Sequence, residues 1–291
     1  MSEFLTTREV AELLRIKERK VYDLAARGKI PCSRATGKLL FPKTDIEQWL
    51  ENSQSGQAAR TASARPAVLL GSHDPLLEWA LRESGCGIAT FFDGSLDGIE
   101  RYLKHEGLAT GLHLFDATSR EWNITCVRQK LLDEPAVLME WAKRQRGIIV
   151  ANHCEKPIAA IEDLAGLKIV PRQAGAGTQQ LLTSLLGDAG LSEGDFDYLP
   201  AERTESDAVL PILQGKADAT LGLAALARQY KLRFIPLIEE RFDIVVDRKA
   251  WFDPPWQKFL SFCDSSIFRD KVGESEGYDT GGLGTIHFNG R

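Results

Sequence analysis

No stretch of this sequence approaches the roughly 20 consecutive apolar residues that a helix needs to cross a bilayer, so no membrane partner is expected. Cysteine is scarce. The five residues Cys32, Cys86, Cys126, Cys154 and Cys263 are odd in number, widely spaced and without a CxxC pair. That excludes a disulfide framework and a zinc site, and it fits a reducing compartment in which thiols pack as small apolar groups. No HExxH, no P-loop ending in GK[ST], no nucleophile elbow and no paired-carboxylate spacing stands out. The expectation is therefore a binding protein, not an enzyme, with no catalytic residue, no metal and no cofactor. The first ten residues, MSEFLTTREV, are already amphipathic and lack the basic start and apolar run of a secretory leader. A cytoplasmic location follows as an expectation.

What is present is an uneven distribution of charge. The 291 residues carry a formal net charge of −5, yet the window from Arg15 to Lys43 holds nine Lys/Arg against Glu18 and Asp23. That short block is +7, which leaves −12 for the remainder. A basic block beside an acidic body points to nucleic acid as a partner of one part only. Hydrophobic residues make up 43% of the chain, enough for a large domain plus a small one. The pattern divides into a periodic unit at 1–52, a small polar linker at 53–65 (NSQSGQAARTASAR from residue 52 on), and an alternating unit at 66–291.

In the first unit, Thr6 and Glu9 have capping-box spacing, and the helix they open should turn Val10, Leu13 and Leu14 inward. Arg15-Ile16-Lys17 is a short turn. A second helix, about Glu18 to Arg27, should bury Val21 and Leu24, expose Arg19, Lys20, Tyr22 and Asp23, and stop at Gly28. Two short helices joined by a tight turn, the second basic outside, fit the major groove of double-stranded DNA. Lys29 to Phe41 reads as two short strands forming a wing around Ala35-Thr36-Gly37-Lys38. Thr44 and Glu47 then have the spacing of a second capping box, with Ile46, Trp49 and Leu50 closing the small core.

From Pro66 onward, apolar strands end in short Gly/Ser turns that open helices, the signature of an α/β domain. Such turns lie at Gly71-Ser72-His73-Asp74, at Asp93-Gly94-Ser95 and at Arg172 to Thr178, and less cleanly at Glu205-Ser206-Asp207-Ala208. A helix start offers unpaired N–H groups and a partial positive charge. Glycines let an anion approach, and hydroxyls add donors. Several such turns on one cleft would hold a small anion with few Lys or Arg. The order of segments suggests a two-lobed clamp. Residues 66–115 build lobe one, 148–154 cross to lobe two at about 155–235, the run LRFIPLIEERFDIVVDR crosses back, and Trp251, Trp256 and Phe259 return to lobe one. Arg172 could neutralise a dianion through its guanidinium. His73 and His113 sit at turn or strand ends and read equally as core or ligand contacts. Tyr278 and Asp279 are weaker candidates for the hinge or site.

The run LTTREVAELLRIKERKVYDLAARGKIPCSRATGKLLFPKTDIEQWL resembles the excisionase branch of the MerR-type winged helix-turn-helix family along its whole length. The resemblance implies that the second helix reads bases and the wing grips backbone, which assigns DNA contact to Thr7, Lys17, Arg19, Lys20, Tyr22, Arg34 and Lys38. The segments GSHDPLL, GSLDGI, GLHLFDATSREWN, WAKRQRGIIVANH, RQAGAGTQQLL, LQGKADATLGLAALA, LRFIPLIEERFDIVV and GYDTGGLGTI, over about 66–285, resemble the periplasmic-binding-like domains attached to DNA-binding heads. That domain is similar to the type II fold of molybdate- and tungstate-binding proteins. It implies a tetrahedral oxyanion, such as molybdate or tungstate, as bound effector, held by Ser72, Ser95 and main-chain N–H groups of both lobes. The candidate ligand residues are Ser72, His73, Ser95, His113, Arg172, Gly175, Ala176, Gly177, Thr178 and Asp207. The combined expectation is a one-component transcription regulator acting as a homodimer on an operator in response to a small anion. The alternatives are an excisionase-like architectural protein whose large domain recruits a partner, and a sensor of a small organic acid.

Overall fold

A computed structural model of the protein describes residues 4–33, 38–52 and 65–290. Its contacts divide into two units, Met1–Ser63 and Ala64–Arg291.

The head opens with strand β1 (Phe4–Thr6) and helix α1 (Thr7–Leu14). Thr6 caps α1 as its spacing predicts. The Glu9 N–H donates to Thr6 Oγ1 at 3.3 Å and the Thr6 N–H donates to Glu9 Oε2 at 2.7 Å. Arg15 adopts the left-handed conformation (φ 52°) and turns the chain into α2 (Glu18–Ala26). Strand β2 (Leu40–Pro42) pairs antiparallel with β1, and α3 (Lys43–Asn52) follows without a break. Val10, Ala11, Val21, Ala25, Ile30, Phe41 and Ile46 form the core.

Two expectations for the head need correction. Leu13 is 51% exposed; the buried stripe of α1 runs through Thr7, Val10 and Ala11, and Leu13 falls off its edge. Thr44 does not cap α3, because the helix already begins at Lys43. The expected wing pairing is present at its described ends, where Ser33 and Leu40 exchange main-chain hydrogen bonds of 2.7 and 3.0 Å, and β1 adds a second pairing to β2. The four residues 34–37, which carry most of the expected wing, lie outside the described residues, as do 53–64 of the expected linker.

The body begins one residue earlier than the composition suggests. Arg65 reads as linker, yet its side chain is 4% exposed and its Nε donates to Asp247 Oδ2 at 3.1 Å. Its guanidinium also lies 4.0 Å from the centre of the Tyr102 ring. Lobe one is built from β3 (Val68–Gly71), α4 (Pro75–Ser84), β4 (Ala89–Phe92), α5 (Ser95–Leu103) and β5 (Ala109–Leu112). Strand β3 pairs in parallel with both β4 and β5. A small ribbon of β6 (Phe115–Asp116) and β7 (Glu121–Trp122) leads into α6 (Ile124–Leu131).

The chain then crosses on β8 (Ala136–Val150), 15 residues long and buried nearly throughout. Lobe two follows with β9 (Lys168–Val170), α7 (Gly177–Asp188), β10 (Asp197–Tyr198), α8 (Leu210–Leu213), β11 (Ala219–Leu223) and α9 (Ala224–Gln229). The return strand, β12 (Arg233–Asp247), is also 15 residues long and pairs antiparallel with β8 from end to end. Helices α10 (Pro254–Cys263) and α11 (Ser266–Glu274) pack back on lobe one, where Trp256 and Phe259 are fully buried. Finally β13 (Tyr278–Asp279) and β14 (Ile286–Asn289) pair with β8.

One sheet therefore runs β10-β9-β11-β8-β12-β5-β3-β4. Strand β11 pairs with the far end of β8 at 146–150, and β5 pairs with the far end of β12 at 243–246. The two lobes have separate cores, and β8 and β12 feed residues to both. The two-lobed architecture is the one the segment order predicts, but the first crossing comes earlier than the expected 148–154: β8 makes it, and residues 148–151 already pack in the lobe-two core. Among the described residues no helix is long and apolar enough to cross a membrane, and no group of three or more His, Cys, Asp or Glu could hold a metal.

Candidate functional site

The strand-to-helix turns of the two lobes do meet. Strand β4 ends at a turn where Gly94 has φ +103°, a conformation that a side chain rarely tolerates. A Cβ there would lie 2.9 Å from the Gly175 carbonyl of lobe two. The Leu96 N–H donates to that carbonyl at 3.2 Å. A Cβ on Gly177 would meet the His113 carbonyl at 2.5 Å. Bare backbone is what lets α5 and α7 approach. Neither helix start has a side-chain cap, and Ser95, Gly177 and Thr178 are buried there. Ser72 follows β3, and its Oγ lies 2.6 Å from Ser95 Oγ. The His113 N–H donates to Ser95 Oγ at 3.3 Å.

Behind these turns lies a buried charge cluster. Arg144 and Arg146 sit two apart on β8, so their side chains share one face. Glu240 on β12 stands opposite Arg144 in register. Arg146 Nε donates to Glu240 Oε2 at 2.6 Å and Nη2 to Oε1 at 2.9 Å, while Arg144 Nη2 also bonds Glu240. Arg144 Nη1 reaches Asp74 Oδ2 at 2.7 Å. Asp74 is also the N-cap of α4, accepting from the Leu77 N–H at 2.6 Å, from Trp141 Nε1 at 3.1 Å and from the Tyr278 hydroxyl at 2.5 Å. On the lobe-two side, Glu205 accepts from Arg146 at 3.1 and 3.2 Å and from Thr178 Oγ1 at 2.7 Å. Arg172 Nη1 pairs with the same carboxylate at 3.0 Å. The Glu205 N–H donates to His73 Nδ1 at 3.3 Å, so His73 Nε2 is left to donate to Glu78, 3.0 Å away.

Three guanidinium groups thus face three carboxylates, all with side chains shielded from solvent. Burial alone would raise the Glu205 carboxyl pKa, but Arg146 and Arg172 outweigh it and hold the group well below the ordinary carboxylate range. Glu240 is likewise held well below that range, burial being overcome by Arg144 and Arg146. For His113 burial wins over Glu240, 3.2 Å from Nδ1, and the imidazole pKa falls. Burial also weakens the protonated form of Arg172, and Glu205 offsets only part of that effect. The Tyr278 hydroxyl is pushed well above its usual range by burial and by Asp74.

The structure therefore brings together Ser72, His73, Ser95, His113, Arg172, Gly175, Ala176, Gly177 and Thr178. Asp207 stands outside this bonded group, at the start of a short turn where its N–H donates to Thr204 Oγ1 at 3.0 Å. Sequence reasoning missed the hub. Arg144, Arg146 and Glu240 fall in segments that carried the family resemblance but were assigned no role, and Glu205 was named only as the first residue of the fourth, less clean turn. The available signal was a pair of arginines at strand spacing between two apolar runs, AVLM and GIIV, of the crossing segment.

On the head, Lys17, Arg19, Lys20 and Lys38 are exposed, and Tyr22 is 52% exposed. Thr7 is buried at 8% and is not available to DNA. As the first residue of α1 it faces the core with Val10 and Ala11, three and four positions on. Arg34 lies outside the described residues.

Comparison with known proteins agrees with this division. Residues 78–264 match the PBP superfamily domain, and residues 4–54 match a helix-turn-helix domain. The chain belongs to the PBP superfamily. It is 28% identical over 296 residues to the uncharacterized protein YvgK of Bacillus subtilis (strain 168), with 94% of each chain covered. Among solved structures it is similar to PhnD1 from Prochlorococcus marinus (MIT 9301) in complex with methylphosphonate, at 10% identity and TM-score 0.48, covering 75% of this chain and 93% of that one. It is also similar to the alkanesulfonate-binding protein SsuA from Xanthomonas axonopodis pv. citri bound to MOPS, at 16% identity and TM-score 0.46, covering 73% and 78%. The head is thus of a DNA-binding type, and the body is of a type that binds small ligands.

Proposed function

We propose that the protein is a one-component transcription regulator whose body senses a small anion and whose head binds operator DNA. The observation that carries this reading is the union, in one chain, of a helix-turn-helix head with an exposed basic second helix and a PBP-superfamily body. The ligand of best fit is a tetrahedral oxyanion, with molybdate and tungstate first to be tried. Two observations support an anion: the uncapped starts of α5 and α7 are buried against each other, and Ser72 and Ser95 present their hydroxyls beside them. Between the lobes an oxyanion would replace the single serine-to-serine bond with two bonds of its own. The body binds its ligand without transforming it. Paired heads on a homodimer would read two half-sites, and lobe closure would alter operator affinity by the ligand's differential affinity for the two states.

Calorimetry of the full chain with molybdate, tungstate, sulfate and a short organic acid, alongside operator binding by fluorescence anisotropy, tests the reading. A ligand that changes operator affinity supports it. A protein that binds none of the anions and no DNA would overturn it.

A further inference from the structure

Glu205 is held as a bound anion would be. Its Oε1 lies 3.1 Å from Arg146 Nη2, 3.0 Å from Arg172 Nη1 and 2.7 Å from Thr178 Oγ1, and its Oε2 lies 3.2 Å from Arg146 Nη1. The donors come from three separate elements: the crossing strand β8, the turn after β9 and the first turn of α7. The carboxylate side chain is 2% exposed. Arg172 anchors itself on lobe two by donating to the main-chain carbonyls of Glu202 at 2.9 Å and Arg203 at 2.5 Å. Its Nη1 is buried and close enough to Glu205 for an ion pair, but its direction makes no hydrogen bond. One buried donor beside Glu205 is therefore incompletely used. A carboxylate suspended in this way is unusual for a mere lobe stabiliser, because a well-packed apolar residue often serves stability as well as a buried ion pair.

We propose that Glu205 is an internal counter-anion, occupying the ligand position of the closed body until a small external anion, an oxyanion or a carboxylate, displaces it. The inference rests on the anion-sensor reading above and deepens it. With Glu205 in place the cluster is balanced, three positive against three negative. A second anion entering beside it would leave excess negative charge in a dry interior, which is strongly unfavourable. Exchange of one anion for another keeps Arg146 and Arg172 paired. The main-chain N–H of the same residue donates to His73, a bond between lobe two and lobe one, so the exchanged carboxylate sits beside an interlobe tie. Glu205 reduces apparent affinity in proportion to the fraction of time it leaves the site open.

The test is calorimetry of the full chain, with sodium molybdate, sodium sulfate and sodium acetate as probes in buffer free of other oxyanions. Glu205→Gln should bind at least one probe about tenfold tighter or more, a gain equivalent to about 1.4 kcal/mol. The same probe should raise its melting temperature more than it raises that of the parent. The inorganic probes and acetate separate an oxyanion from a carboxylate ligand. If the parent binds a probe and folded Glu205→Gln binds it no tighter, the counter-anion role is overturned and the sensor reading stands. If neither protein binds any probe, both fall. Should Glu205→Gln fail to fold, Glu205→Asp keeps the charge but shortens its reach. A several-fold gain then supports the role, and no gain overturns it.

Discussion

Ser72 Oγ and Ser95 Oγ lie 2.6 Å apart, each in the turn that follows its own parallel strand of lobe one. One hydroxyl donates to the other in the closed body, and Ser95 Oγ also accepts from the His113 N–H. An anion that separates them can accept from both. The double variant Ser72→Ala with Ser95→Ala should therefore lose the anion response while keeping operator affinity in the absence of effector. Each lost hydrogen bond to a charged ligand is worth about 1.5–3 kcal/mol, so affinity should fall at least a hundredfold in the double variant. Calorimetry and anisotropy on the same preparation check both halves.

The close approach of α7 to lobe one depends on Gly177. A Cβ there would meet the His113 carbonyl at 2.5 Å, and that carbonyl belongs to backbone that cannot swing aside. Gly177→Ala should keep the lobes from closing fully. Expected outcomes are unchanged far-ultraviolet circular dichroism, anion affinity reduced about tenfold or more (a loss of about 1.4 kcal/mol), and a larger radius of gyration in solution scattering when anion is present.

These two sites were legible in the sequence because they are local. A strand, a Gly/Ser turn and a helix start lie within a dozen residues, as does the Thr6–Glu9 cap. The cluster was not legible, because its partners are far apart along the chain. Asp74 meets Arg144 across 70 residues, and Arg146 meets Glu240 across 94. A charged residue in a strand ordinarily reads as a solvent-facing position, and only the folded sheet shows that both faces of β8 are covered. Arg65 misled for the same reason. It sits at the end of a polar run, while its partner Asp247 is 182 residues away. Leu13 erred in the other direction, since a helix of eight residues has too short an apolar stripe to bury every leucine at helical spacing.

Acidity offers a separate test at Asp243. This carboxyl is fully buried at the bulge of β12, and burial pushes its pKa up to about 6 despite Arg241 and Asn123. The raised folded-state value means that its contribution to stability is complete below the unfolded pKa and is lost as pH rises through about 6. Glu205 and Glu240, held below their usual range, act in the opposite sense and lose their contribution only in stronger acid. Asp243→Asn isolates the first effect. Relative to the parent, its melting temperature should be more favourable at pH 7.5 than at pH 5. A difference that does not vary with pH would refute the assignment.

On the head, Arg19→Ala and Lys20→Ala on the exposed face of α2 should each weaken operator binding. A side chain that only contacts phosphate should lower affinity for all sequences alike and reduce the salt slope by about one. A side chain that reads a base should instead cost about 1–3 kcal/mol and relax the preference at a single position. Titrations at three salt concentrations on operator and scrambled duplexes separate the two roles residue by residue.

Strands β8 and β12 each give one half to lobe one and the other half to lobe two, and they are bonded to each other along their whole length. The lobes are consequently not separable modules. A fragment cut to contain either alone would forfeit half of its central ladder and leave buried arginines facing solvent. Heating should melt the body in one step, with both cores lost together, and a split-protein pair divided between the lobes should regain structure only when its halves are mixed.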